Sequence, residues 1–123
     1  MQESISIELS QQSLDAIRTG RYHHILFLEL QANLNKISDL LSAYYFRSRG
    51  SINQPEIRSD SLLISPEGKG QFVVHYIIGL FNACADLDLS ESDKMTIQMN
   101  VDMNTGKTTL TGEYFYEREP DEL

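Results

Sequence analysis

Apolar and polar residues alternate near both ends of the chain and follow a helical period in between. Residues 4–9, SISIEL, set Ile5, Ile7 and Leu9 against Ser4, Ser6 and Glu8, the period of two expected of a strand with one buried face. A short helix is predicted next, capped by Ser10 or Ser13 and closed by Gly20 after LDAIRTG. From Tyr22 to about Arg47 no Gly or Pro interrupts the chain, and Phe27, Leu30, Leu34, Ile37, Leu41 and Tyr44 recur at spacings of three and four. That spacing predicts one long helix with an apolar stripe, which Ile25, Leu28, Leu40, Tyr45 and Phe46 widen into a second face. So broad a surface requires a sheet or another helix against it, because a two-stranded coiled coil would leave the second face wet. Gly50 stops the helix.

Residues 47–61, RSRGSINQPEIRSDS, combine Gly, Pro, serines and charges of both signs, and read as an exposed loop. Arg47, Arg49 and Arg58 form the one basic concentration, diluted by Glu56 and Asp60. SLLIS and QFVVHYI flank the breaker PEGKG, so a hairpin over 61–77 is expected, with Phe72, Val74 and Tyr76 on one side. A helix over 71–86 competes, since Val73, Ile77, Leu80, Phe81, Cys84 and Leu87 also fit helical spacing. The β-branched start and Gly79 favour a strand to Ile77, then a turn or short helix. DLDLSESDK, residues 86–94, reads as an acidic connector. Met95, Ile97, Met99, Val101 and Met103 then alternate with polar residues, the cleanest strand pattern of the chain. A turn at NTGK and the run TTLTGEYFY complete a second hairpin over 94–117, with Leu110, Tyr114 and Tyr116 on one face.

The expected fold is therefore α+β in one domain, residues 1–123. An antiparallel sheet of about four strands packs on one long helix, with a short N-terminal strand and helix. At 123 residues and 41% hydrophobic, the chain can bury a core without staples. Charge changes the picture more. Eighteen Asp and Glu against ten Lys and Arg give a net charge of -8 and a pI near 4.7. Such a surface repels nucleic-acid phosphates and anionic lipids and favours a basic partner. Cys84 is the only cysteine, which excludes an intramolecular disulfide and a cysteine-rich zinc site. No leader pattern and no apolar run of membrane-spanning length occurs, so a reducing cytoplasm is the expected setting.

Candidate chemistry is thin. Gly106-Lys107-Thr108 matches the end of a nucleotide-binding P-loop, but that device needs a glycine five positions earlier and a helix afterwards. Val101 stands at the first place and strand-forming TTLTGEYFY follows, so Asn104-Thr105-Gly106 reads as a hairpin turn with Gly left-handed. His23 and His24 point to different helix faces, and His75 has no carboxylate at ligand spacing, so no metal or other cofactor is expected. Asp86, Asp88 and Glu91 lack the glycine and the final glutamate of a calcium loop. Cys84 lies in an apolar run and the serines have no nucleophile elbow, so no catalysis is expected. What remains is an acidic and aromatic set suited to Lys and Arg recognition: Asp86, Asp88, Glu91 and Asp93, with Glu113, Tyr114, Tyr116, Glu117 and Glu119.

The closing segment GKTTLTGEYFYEREPDE resembles the C-terminal hairpin of small acidic immunity proteins of the YezG-like kind, where a Gly-Lys turn leads to an aromatic strand and an acidic tail. The resemblance covers the last quarter of the chain. It implies a non-enzymatic cytoplasmic inhibitor that neutralises a cognate toxin, usually a basic nuclease, by covering its active site. A second reading is a structural or adaptor subunit, a homodimer paired through the Phe27 to Tyr44 stripe. A third is a small enzyme or ligand-binding domain with His75 and Tyr76 beside a pocket between helix and sheet.

Overall fold

A computed structural model describes residues 2–45, 50–82 and 87–114. Cys84, Asp86, Arg47, Arg49, Tyr116, Glu117 and Glu119 lie outside the described residues. Those described form β1 (Ser4–Glu8), α1 (Gln11–Thr19), α2 (His23–Ala32), α3 (Leu34–Tyr45), β2 (Gly50–Ile64), β3 (Lys69–Asn82), β4 (Leu87–Val101) and β5 (Lys107–Thr111). The strands make one antiparallel sheet in the order β1-β5-β4-β3-β2, and the helices cover one of its faces. The single long helix does not form: α2 and α3 take its place beside the short α1, giving three short helices, and the N-terminal strand joins the other four in one five-stranded sheet, so only the broad α+β description stands.

The long helix breaks at Asn33. Its backbone leaves helical geometry (φ -103°, ψ 18°) and its side-chain amide donates to the Glu29 carbonyl at 2.9 Å. Its own carbonyl accepts from Lys36 and Ile37, opening α3. Asn can divert backbone partners in this way, so a helix can end without Gly or Pro. The apolar pattern survives the break because both halves still face the sheet: Leu26, Leu30, Ile37, Leu40, Leu41 and Tyr44 are buried, while Phe27 and Leu34 are half-buried. The stripe offered above as a dimer interface is thus largely covered by the chain's own sheet.

The short helix forms as expected. Ser10 caps it, with its hydroxyl accepting from the Ser13 N–H at 3.3 Å, and Gly20 closes it at φ 81°. The predicted loop over 47–61 is instead largely the edge strand β2. It escaped the pattern because its ladder is irregular: the register against β3 slips between Asn53 and Glu56, at Gln54 and Pro55, and again between Arg58 and Leu63. An edge strand tolerates Pro, charges and bulges that a central strand does not. Within the second slip the Ser61 hydroxyl accepts from the Val73 N–H at 2.8 Å, and His23 reaches the Ser59 carbonyl at 2.6 Å.

The acidic connector is likewise strand from Leu87, and β3 runs on to Asn82 rather than ending at Ile77. The two pair without interruption from Lys69 opposite Asn100 to Asn82 opposite Leu87. Alternation on β3 and β4 puts Phe72, Val74, Tyr76, Met95, Ile97 and Met99 in the core, as the period of two predicts. The last hairpin forms over β4 and β5, but β5 ends at Thr111 rather than running on through Tyr114, which is exposed where Leu110 is buried, and β1 takes the outer place beside β5.

Candidate functional site

The site is assembled where α3 ends over the sheet. Tyr44 and Tyr45 are consecutive, so their side chains diverge by about 100° around the helix axis and reach different strands. Tyr44 turns toward the β1–β5 end: its hydroxyl accepts from the Glu3 N–H at 2.9 Å and donates to the Glu113 carbonyl at 2.6 Å. Gly112 makes room for it, because a Cβ there would sit 2.6 Å from the Tyr44 oxygen and 2.9 Å from the Met95 sulfur. Tyr45 turns toward β3 and β4. Its hydroxyl lies 2.9 Å from that of Tyr76 and 3.2 Å from Asp93 Oδ2, and the two rings meet edge to face with centroids 6.0 Å apart.

Asp93 stands directly opposite Tyr76 in the β3–β4 ladder, so sheet pairing alone sets carboxylate and phenol side by side. Glu113 arrives from the other flank. β4 and β5 pair as far as Gln98 opposite Thr111. One step further, Glu113 substitutes its side chain for its backbone: Oε2 accepts the Thr96 N–H at 2.7 Å, while its carbonyl is taken by Tyr44. Two carboxylates twenty positions apart in sequence are thereby fixed beside the phenols of Tyr44, Tyr45 and Tyr76.

The electrostatics follow from burial and from those carboxylates. Tyr76 is only 2% exposed, and desolvation is the largest cause raising its pKa; the Tyr45 hydrogen bond and the charges of Asp93 and Glu113 raise it further. Tyr45 is raised by burial first, then by Asp93 and Glu113, against a lowering from Tyr76. Burial also leads for Tyr44, with Glu3 and Glu113 adding to it against the lowering hydrogen bond from the Glu3 backbone. All three phenols are held protonated, as donors rather than as bases or nucleophiles. Beside them an open depression of ≈ 460 Å³ is lined by Gln54, Pro55, Glu56, Tyr76 and Asp93, among others.

Of the residues chosen from sequence, Asp93 and Glu113 meet in this cluster. Glu91 is exposed on the same strand, opposite Ile78, and Asp88 pairs with Phe81 further along the hairpin. Tyr114 is 63% exposed, next to Glu113. Tyr44 and Tyr45 were read only as helix-face residues; their adjacency at a helix end, which sends neighbouring hydroxyls to two strands, was the signal available. His75 and Tyr76 occupy opposite faces of β3: Tyr76 lies in the core and His75 stands exposed between Glu56 and Lys94. Both still border the open depression of ≈ 460 Å³, but its lining comes from strands alone, so it is not a pocket between helix and sheet. Arg58 is spent on surface ion pairs with Glu56 at 3.2 Å and Asp60 at 4.0 Å.

Gly106-Lys107-Thr108 sits in a strand-to-strand turn. The Asp102 carbonyl accepts from Thr105 and Gly106, Gly106 has φ 84°, and β5 follows at Lys107. The buried Thr108 hydroxyl donates back to the Gly106 carbonyl at 3.1 Å. Among the described residues no helix is long and apolar enough to cross a membrane. Comparisons of the chain with protein-family models, curated proteins and solved structures give no match.

Proposed function

We propose that this chain is a non-enzymatic acidic binding protein of the immunity or antitoxin kind, acting in the cytoplasm. In this reading it neutralises a basic, nuclease-type toxin by laying carboxylates and phenols over the toxin's active site. The observation that carries the proposal is the convergence of Asp93 and Glu113 on the Tyr45–Tyr76 pair. Carboxylates accept from Lys and Arg, protonated phenols add directed hydrogen bonds, and an aromatic face attracts a cation. The net charge of -8 works in the same direction by steering a basic partner inward. The resemblance of the closing hairpin to YezG-like immunity proteins supplies the class of partner.

The test is co-expression with a toxic basic nuclease domain encoded beside the gene. The wild-type chain restores growth, whereas Asp93→Lys with Glu113→Lys, shown to be folded by circular dichroism, does not. Equal protection by the charge-reversed variant would exclude this site, and the absence of any protection by the wild type would exclude the function.

A further inference from the structure

The two outer strands of the sheet are guarded unequally. β2 carries Pro55, which has no N–H to offer, Gln54 at φ 52°, and two register slips. Devices of this kind prevent a sheet from pairing edge to edge. β1 has none of them: all five of its residues pair in continuous register with β5. The Gly112 N–H donates to the Glu3 carbonyl at 3.0 Å and the Leu9 N–H to the Gly106 carbonyl at 2.9 Å. Those bonds put Glu3, Ile5, Ile7 and Leu9 at the hydrogen-bonded positions, so alternation turns the N–H and C=O groups of Ser4, Ser6 and Glu8 outward. β1 is last in the strand order, and among the described residues no strand lies beside those groups.

A depression of ≈ 340 Å³ follows this edge, lined by Ser6, Ile7, Glu8, Asn33, Lys36 and Lys107. Two ammonium groups therefore border it in a chain with ten Lys and Arg against eighteen Asp and Glu. Among the described residues neither Lys36 nor Lys107 forms an ion pair. Glu8 faces Lys107 across the ladder and offsets one of the charges, which leaves Lys36 in surplus.

We propose that the β1 edge receives an extended acidic segment of a partner protein as a sixth strand. The segment's main chain bonds the outward groups of Ser4, Ser6 and Glu8, and its carboxylates meet Lys36 and Lys107. Strand addition of this kind draws affinity from the backbone and selectivity from side chains at alternate positions. The site is independent of the acidic and phenolic cluster.

The probes are a fluorescein-labelled, acetylated Val-Glu-Val-Glu-Val-Glu peptide and its Val-Lys counterpart, followed by anisotropy and by amide hydrogen exchange of the full chain. The acidic peptide is expected to bind and to slow exchange at Ser4, Ser6 and Glu8 by about tenfold or more, and the basic peptide to do neither. Ser6→Pro removes an outward N–H and leaves the bonds of Ile5 and Ile7 to β5, so the variant keeps its circular dichroism and binds about tenfold more weakly or worse. Lys36→Glu, a surface change, weakens binding by the same order and carries the test if Ser6→Pro does not fold. Equal binding of both peptides, or binding without protection of those three amides, overturns the proposal. So does a sedimenting dimer in which the same amides are already protected without peptide, because the edge would then belong to a second copy.

Discussion

Removing the Glu29 carboxylate should cost the fold about 3 kcal/mol, although the residue lies at the surface between two helices. Its oxygens accept the Ser10 N–H at 3.0 and 3.1 Å and the Ser10 hydroxyl at 3.0 Å, and the fully buried Ser13 hydroxyl also donates to it. α2 thus supplies the anion that caps α1 across the helix–helix contact. A charged group at a helix N-terminus contributes about 0.3–1 kcal/mol through the helix dipole. Leaving the buried Ser13 hydroxyl without its acceptor costs about 1–3 kcal/mol, and the lost Ser10 bonds add to that. Glu29→Gln keeps one oxygen and should cost only about 1–2 kcal/mol, since a neutral acceptor is roughly half as strong. Urea unfolding followed by circular dichroism measures both, with the slope against denaturant unchanged. Ser13→Ala in the Glu29→Ala background should recover part of the loss, because removing both partners leaves nothing unpaired. Glu29→Ala within about 0.5 kcal/mol of wild type would mean that Glu29 does not cap α1 in this way.

Three further outcomes follow from the same geometry. Gly112→Ala drives a Cβ into the Tyr44 phenol and the Met95 sulfur, and denaturant midpoints should register an overpacking loss of about 1–3 kcal/mol. Gly106→Val combines φ 84° with a Cβ 2.5 Å from the Leu9 carbonyl; unfolding curves should show a loss of more than about 1 kcal/mol, and unchanged stability would contradict the turn. Tyr44, Tyr45 and Tyr76 have folded pKa values above their unfolded value near 10, so their contribution is complete below pH 10 and is lost as pH rises through the folded values. Phenolate absorbance at 295 nm should therefore appear for these three only late in an alkaline titration, together with unfolding.

Where one face of an element is buried in strict alternation, as in β1, the first half of β3 and β4 from Met95 onward, the chain could be read directly. Met95, Ile97, Met99 and Val101 meet the core and Ser4, Ser6 and Glu8 do not. β2 could not be read that way, because Pro55 and two slips of register erase its period even though its partner β3 follows directly in the chain. Asn33 hid the helix break for a different reason: an Asn diverting backbone bonds leaves no mark in an apolar stripe that faces the same sheet on both sides. In the acidic set, Asp93 was identifiable by type and Glu113 by its aromatic neighbour. Their convergence was not, since it depends on the β3–β4 register and on Glu113 exchanging side chain for backbone at Thr96.

Under the proposed function, Asp93 and Glu113, with the phenols between them, receive a basic partner. This is tested by the association rate of the chain with a basic, nuclease-type toxin domain that it protects against in co-expression, followed by stopped-flow fluorescence from low to high salt. The rate is expected to fall by about tenfold or more over that range, with a flatter, slower profile for Asp93→Asn with Glu113→Gln. A rate independent of salt, or a double variant indistinguishable from wild type, would contradict it.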